Sequence, residues 1–480
     1  MKAAVAIDQG TTSTRALVMR ADGTSALAHT LEHRQIFPRP GWVEHEPGAL
    51  LANIETCLES ALSQGEDVRA IGLDNQGESC LAWHAETGEA VSPVIVWQDS
   101  RTASVVEDLK RDGLEALTLE RSGLPLDAYF SASKLAWLLR HNDDARRLAT
   151  KGLLRLGTTD AFFLQHLTGT CATDATTASR TGLMNLERGE WDEELCALFG
   201  VPIECLPPIR PTVTAFGAVR IDGLRLPVTA SVTDQQAALY GHGCRIAGDA
   251  KITFGTGAFA LTLTGDTIRR SPEQGLLPTV AWRIEGENPI YALDGGVYCA
   301  SSAVNWARTL GLFADVGEIN HFDAKPAIDR GLSFVPALAG LACPHWDRSA
   351  AGLWIGMTLN TDRKDLAQSV LEGVALRACE VIAAMDSHVP VGQRVNVDGG
   401  MAANPYFCQF LADSLQRTVT ALPHAEVTAQ GVARLAAYGA GMEIAEASQH
   451  AIEYSQQAAP PGRRQRFAEA VQRARCWQSH

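Results

Sequence analysis

Asp8-Gln9-Gly10-Thr11-Thr12-Ser13-Thr14-Arg15 lies between two short apolar runs, Ala3–Ile7 and Arg15–Met19, whose residues favour extended backbone. A polar turn between two strands calls for a residue at ease with φ > 0, and Gly10 supplies one. Thr11, Thr12 and Ser13 add hydroxyls and exposed N–H groups, which together can cradle phosphate oxygens. Asp8, at the end of a buried strand, is of the right type to hold Mg2+ directly or through water. The same stretch also reads as a plain polar hairpin in which Asp8 makes an Asx turn. Taken alone, it leaves both readings open.

The theme recurs downstream. Lys251-Ile252-Thr253-Phe254 and Phe259–Leu263 flank the small turn Gly255-Thr256-Gly257, a hint of internal duplication. Val397-Asp398-Gly399-Gly400 separates a strand pattern from a helix expected to start near Asn404, and helix N-termini attract anions. Between these turns, Pro47–Leu62 and Ser131–Arg140 carry apolar residues at helical spacing. Ala70–Leu73 and Val94–Trp97 are continuously apolar, as buried strands are. The alternation predicts an α/β class. A helix over Asp234–Tyr240 running into Gly241-His242-Gly243 marks a boundary, giving domains 1–243 and 244–480. Ala458-Ala459-Pro460-Pro461-Gly462 then leads into a charged terminal helix. There is no GxxxxGK[ST] segment, and no GxGxxG follows a strand, which disfavours P-loop and Rossmann folds.

Bulk composition narrows the partners. The 480 residues exceed the ~250–300 that one core sustains, so two sizeable domains are expected. A formal charge of −14, with basic residues clustered only at Arg463–Arg466, argues against nucleic acid. Eleven cysteines without a CxxC pair fit a reducing cytosol. No apolar run reaches the ~18–20 residues needed to span a bilayer. A cytoplasmic protein is expected.

Polar clusters follow two of the predicted strands: Asn75-Gln76-Gly77-Glu78 and Trp97-Gln98-Asp99-Ser100-Arg101. Their side chains suit hydroxyl groups, and Trp97, Tyr129 and Phe259 could wall the C–H faces of a polyol, although isolated aromatics are commonly core. In Ser231-Val232-Thr233-Asp234-Gln235-Gln236, local sequence favours Asp234 as a helix cap. A carboxylate at a strand-to-helix junction is also where α/β proteins meet their ligands.

Taken in order, these segments resemble the FGGY carbohydrate kinases, and within them the glycerol kinases. Asp8–Arg15 is similar to the family's first phosphate turn, and Pro40-Gly41-Trp42-Val43-Glu44-His45-Glu46-Pro47 to a stretch typical of glycerol kinases. Tyr129–Leu138 resembles the first family signature; Gly352–Met357, with Asp365-Leu366 and Ser369–Glu372, resembles the second. The resemblance runs from Val5 to about Gly441. It implies two duplicated actin-like (ribonuclease H-like) domains, with ATP and Mg2+ in the cleft between them. On that resemblance Asp8 sits near the metal. Thr11, Thr12, Ser13 and Arg15 face the ATP phosphates, with Gly255, Thr256 and Gly257 opposite, and Ser301, Asn305, Gly400 and Asn404 around the rest of the nucleotide. Glu78, Trp97, Tyr129, Asp234, Gln235 and Phe259 match the acceptor pocket, with Asp234 as catalytic base.

Three departures stand out. Gly77 replaces an Arg that the glycerol kinases carry before this Glu, which implies either an acceptor larger than glycerol or another Arg in that space. Ser301 and Asn305 replace a Gly and a Gln near the nucleotide. The segment Arg220–Pro227 is too short for the Gly/Arg loop that binds fructose bisphosphate in some bacterial relatives. The resemblance leaves room for a homodimer, for a ketose or sugar-acid acceptor, and for an actin-like ATPase or regulatory module without an acceptor.

Overall fold

The two runs that bracket Asp8–Arg15 form the strands Lys2–Gln9 and Ser13–Arg20, paired antiparallel with Asp8 opposite Arg15. The structure, a computed structural model, describes residues 1–221, 223–422, 426–446 and 451–477. Around that hairpin grows a six-stranded sheet in the order Ala218–Ile221, Leu224–Thr233, Asp67–Asn75, Lys2–Gln9, Ser13–Arg20, Ser25–Glu32. Leu224–Thr233, Asp67–Asn75 and Lys2–Gln9 run parallel, with Asp8 level with Asp74 and Val232, and Gln9 level with Asn75 and Thr233. Their carboxyl ends therefore line one edge, where ligands of open α/β sheets bind.

A seven-stranded sheet repeats the plan. Ala250–Phe254 pairs antiparallel with Ala258–Gly265 and parallel with Arg394–Gly399, mirroring the first hairpin and its parallel neighbour. The duplication expected from the two turns is thus visible in the strand order. Ala218–Ile221 and Leu224–Thr233 pair directly, so no long loop intervenes between them; residue 222 is outside the described set.

Pro47–Leu62 is a helix with the predicted bounds. Pro47 supplies a preset φ at its start, and the Glu46 carboxylate accepts from the N–H groups of Gly48 and Ala49. Leu50, Ile54, Cys57, Leu58 and Ala61 recur at helical spacing and pack on one face of the first sheet. On the other face, Ala4, Ala6, Ala70 and Val232 meet Ala429, Val432 and Ala436 of the helix Val427–Gly439. Small residues let the backbones approach closely there: a Cβ on Gly431 would sit 1.9 Å from the Ala237 carbonyl oxygen. That carbonyl belongs to the helix Asp234–Gly241, whose Leu239 packs against Leu261, Leu263 and Ala292 of the second sheet. Asp234–Gly241 therefore touches both halves of the chain.

Two local expectations are corrected. Gly10 does not take the left-handed conformation, and a Cβ there would make only ordinary contacts; its N–H closes the turn by donating to the Ser13 carbonyl at 3.0 Å. The strand expected over Val94–Trp97 covers only Val94–Ile95, because Trp97 turns away into the cleft.

Candidate active site

The turn Gly255-Thr256-Gly257 accepts three N–H groups from the start of the helix Ser301–Thr309: Ala300 and Ser302 donate to the Thr256 carbonyl, and Ser301 to that of Gly255. The Ser301 hydroxyl is 4.0 Å from where a Cβ on Gly400 would lie. These three segments thus form one surface. Gly399, with φ +85, lets that strand end pass the Phe254 carbonyl, which a Cβ would approach to 2.3 Å. Asn305 lies exposed on the same helix. Asn404 is different: its side chain accepts from Phe407 N–H as the cap of Pro405–Leu415 and donates to the Ile319 carbonyl, while its own N–H donates to the Met401 carbonyl and its carbonyl accepts from Cys408, so its polar groups are engaged within the protein.

Two hydrogen bonds join the first turn to the polar clusters: Trp97 Nε1 donates to Thr11 Oγ1 at 3.0 Å, and Gln76 Nε2 to Gln9 Oε1 at 3.3 Å. Arg15 pairs with Glu426 at 2.8 Å and reaches solvent. Asp8 and Asp74 stand side by side on neighbouring strands, and both Asp74 oxygens are buried without a hydrogen-bond donor. Burial, then the nearby Asp8 and Asp234 charges, push the Asp74 carboxyl well above the usual range. An orphaned carboxylate of this kind fits a cation brought in with a nucleotide. Among the described residues no set of three or more His, Cys, Asp or Glu side chains is arranged to hold a metal alone.

The acceptor residues come together. Trp97 stands edge-on to Tyr129 at 5.6 Å between ring centroids and to Phe259 at 6.2 Å, so the aromatic wall draws on both halves of the chain. Fully buried Lys134 fixes two members by donating to the Trp97 and Tyr129 carbonyls at 3.1 and 2.7 Å. Glu78 gives one oxygen to Arg180 Nε at 2.7 Å, and Arg180 Nη2 reaches Asp294 at 3.0 Å. Arg180 thus sets a guanidinium against Glu78 from 102 residues along the chain. Gly77 itself has φ +66, and a Cβ there would meet only Thr233 Cγ2 at 3.3 Å.

Asp234 is not the helix cap that local sequence favours. Thr233 occupies that position, and Asp234 is the first helical residue, taking the Gln235 N–H on Oδ1 at 2.7 Å. Its second oxygen has no protein partner among the described residues. Burial foremost, and then the Glu78 charge, push its carboxyl up to about 7, against the opposing pull of Lys251 and the Gln235 N–H. Thr233 is itself held from below: its N–H donates to Thr176 Oγ1, which donates to the buried Asp174. Sequence reading missed Arg180, Lys134, Asp74 and Lys251. Their only signal was a charge inside otherwise buried segments, which is unusual unless the charge is paired.

Two sheets of one plan, each presenting a glycine-bearing turn to a shared cleft that also holds an unpaired carboxylate, define an actin-like phosphotransferase fold. The family models for the N-terminal and C-terminal domains of the FGGY family of carbohydrate kinases match residues 3–241 and 250–440, and the chain belongs to that family. It is 43% identical to a glycerol kinase of Alkalilimnicola ehrlichii, over 94% of this chain and 93% of that one. A glycerol kinase of Saccharopolyspora erythraea is 42% identical over 92% and 89%. Among solved structures, Plasmodium falciparum glycerol kinase with ADP superposes with a TM-score of 0.88 at 28% identity, covering 99% of this chain and 98% of that one. A xylulose kinase from Lactobacillus acidophilus shares the fold, with a TM-score of 0.85 at 21% identity, over 99% and 97%.

Proposed function

We propose that this carbohydrate kinase transfers the γ-phosphoryl group of ATP to a terminal hydroxyl of a small polyol, glycerol or a somewhat larger relative. The observation that carries this reading is Asp234: a half-buried carboxyl raised to about 7, with one oxygen free, beside Glu78 in the acceptor cluster. Such a group takes a proton near neutral pH, which a hydroxyl must give up as it attacks phosphorus. Glu78 and Gln235 hold the remaining hydroxyls, and Trp97, Tyr129 and Phe259 cover the carbon faces. Thr11, Thr12, Ser13 and Arg15 grip the phosphates from one side and Gly255, Thr256 and Gly257 from the other. Ser301, Asn305, Gly400 and Asn404 border the rest of the nucleotide. Mg2+, when bound through Asp8, screens phosphate charge.

A positioned base contributes ~10²–10⁴-fold, and alignment of the reactants supplies much of the rest. The division into units 1–243 and 244–480 puts the cleft between them, so closure excludes water. The curated relatives named as glycerol kinases support the polyol class. The open space before Gly77 favours an acceptor of four or five carbons as a second reading, while Arg180 on Glu78 restores the charge expected for glycerol. Among the described residues no helix is long and apolar enough to cross a membrane, and a cytoplasmic location and a small-molecule partner follow from this reading.

The test is ADP release across glycerol, erythritol, threitol, pentitols, ketoses and sugar acids, with Asp234→Asn as control. Polyol-dependent turnover that the variant loses by ~10²-fold or more is expected. An ATPase rate indifferent to every polyol and sugar would sink the proposal.

A further inference from the structure

Lys251 is fully buried on Ala250–Phe254, an unusual place for a lysine. Its Nζ donates to Gln235 Oε1 at 2.6 Å and to Thr253 Oγ1 at 2.9 Å. Gln235 belongs to the first half of the chain and Lys251 to the second, so this bond crosses between them. An ammonium has three donors and no acceptor, so the Gln235 atom it touches is oxygen and the amide orientation is fixed. Gln235 Nε2 is left with two N–H donors and no protein partner among the described residues.

The surroundings explain why a cation is kept there. Burial holds Lys251 below the usual lysine range, and the Asp398, Asp234 and Asp294 carboxylates offset part of that, favouring the ammonium. Asp398 is itself tied to His242 Nε2 at 2.6 Å, at the other end of the helix whose first turn carries Gln235. The groups that face Asp234 are Glu78 and Asp8, which disfavour its charge, and Lys251 and the Gln235 N–H, which favour it. Asp74 and Tyr129 stand within the same field. Arg180 is engaged by Glu78 and Asp294, so Lys251 is the buried cation acting directly on Asp234.

We propose that Lys251 is a positioning residue of the acceptor site: it holds the Gln235 amide with Nε2 turned toward the acceptor's hydroxyl oxygens and sets its charge against the base Asp234. This rests on the polyol-kinase reading above. A hydroxyl oxygen accepts from Nε2, whereas a flipped amide would offer it only an acceptor. The charge favours the carboxylate form of Asp234, the form that accepts a proton.

Lys251→Met keeps the length of the side chain and removes both effects. Loss of one oriented hydrogen bond raises the acceptor KM by about tenfold, with the KM for ATP within about twofold of wild type. The active form of Asp234 is the carboxylate, so losing a neighbouring cation moves the acid limb of kcat/KM to higher pH by about one unit. A purely structural role would leave that limb in place. Gln235→Glu, which keeps an oxygen for Lys251 but has no Nε2 donor, raises the acceptor KM by a similar factor and decides the matter if the methionine variant does not fold. A folded Lys251→Met protein with a wild-type acid limb and acceptor KM, or Gln235→Glu with a wild-type acceptor KM, overturns the assignment. Wild-type protein inactive on every polyol and sugar would instead overturn the kinase reading, and this assignment with it.

Discussion

Four carboxyls, three buried and Asp234 half-buried, share one electrostatic condition: Asp234 and Glu372 pushed up to about 7, Asp160 to about 6, and Asp74 well above the usual range, each chiefly by loss of solvent. A carboxyl raised in the folded state binds a proton there that the unfolded chain has already released. Stability from these groups is therefore complete below the unfolded value near 4 and is lost as pH rises toward about 7. Asp234→Asn removes that loss while abolishing the base. Its Tm should exceed wild type by about 2–4 °C at pH 8 and converge at pH 4, as scanned by differential fluorimetry. Equal Tm values at pH 8 would contradict burial as the cause. The pairing of Glu78 gives a second expectation. Arg180 and Glu78 are each about 5% exposed at the side chain, so Arg180→Met strands a buried charge and costs ~3 kcal/mol or more in denaturant unfolding. Arg15→Ala, which breaks a pair 37% and 31% exposed, costs under ~1 kcal/mol. Gly77 was legible as a departure; the pairing of Glu78 with Arg180, 102 residues away, was not.

The elements divide by how strongly their sequence announces them. Pro47–Leu62 was readable to the residue because one face is apolar, the other polar, and a proline opens it. Val427–Gly439 lacks such an opening signal: no proline starts it, no side chain caps its first turn, and it is rich in alanine and glycine. Its burial is what seats the helix Asp234–Gly241, through backbone contacts that only glycine permits. A Cβ on Gly241 would fall 2.1 Å from the Val427 carbonyl oxygen, and one on Gly431 1.9 Å from that of Ala237. Gly431→Ala should therefore cost ~1–3 kcal/mol by overpacking and lower kcat, because the displaced helix carries Asp234 and Gln235. Wild-type stability in urea together with wild-type kcat would show that the helix pair has slack. The phosphate turns behaved differently again. Gly255-Thr256-Gly257 was recognisable from composition, but its bonding to the N-terminus of Ser301–Thr309 depends on a strand and a helix about forty residues apart.

At the scale of the molecule, the cleft is bridged by side chains from opposite halves: Trp97 with Phe259, Arg15 with Glu426, Lys251 with Gln235, and His242 with Asp398. A ligand that touches both halves reinforces these bridges and stabilises the whole. Mg·ADP at about 100 times its Kd should add ~2.7 kcal/mol to unfolding, seen as a rise in Tm. Because coupling is reciprocal, the true acceptor should tighten nucleotide binding by the factor that nucleotide tightens its own. Titration calorimetry of ADP with each polyol present measures this, and the polyol giving the largest factor identifies the acceptor. No coupling with any polyol would argue for two independently closing sites.

What the sequence by itself determined was the local chemistry: the Asp8–Arg15 and Gly255–Gly257 turns, the α/β alternation, the bounds of Pro47–Leu62, and the set of residue types a phosphotransferase needs. These follow from backbone preferences and short-range periodicity, which adjacent residues carry between them. The tertiary structure decided which charges meet. Arg180 on Glu78, Lys251 on Gln235 and His242 on Asp398 join segments 102, 16 and 156 residues apart, and the energy of each bond depends on burial that both sheets create together. Asp8–Arg15 itself reads differently for that reason. Its hydroxyls were evident from the first line of sequence, but the orphaned Asp74 beside Asp8 and the Trp97 bond to Thr11 exist only once the strand ends are aligned.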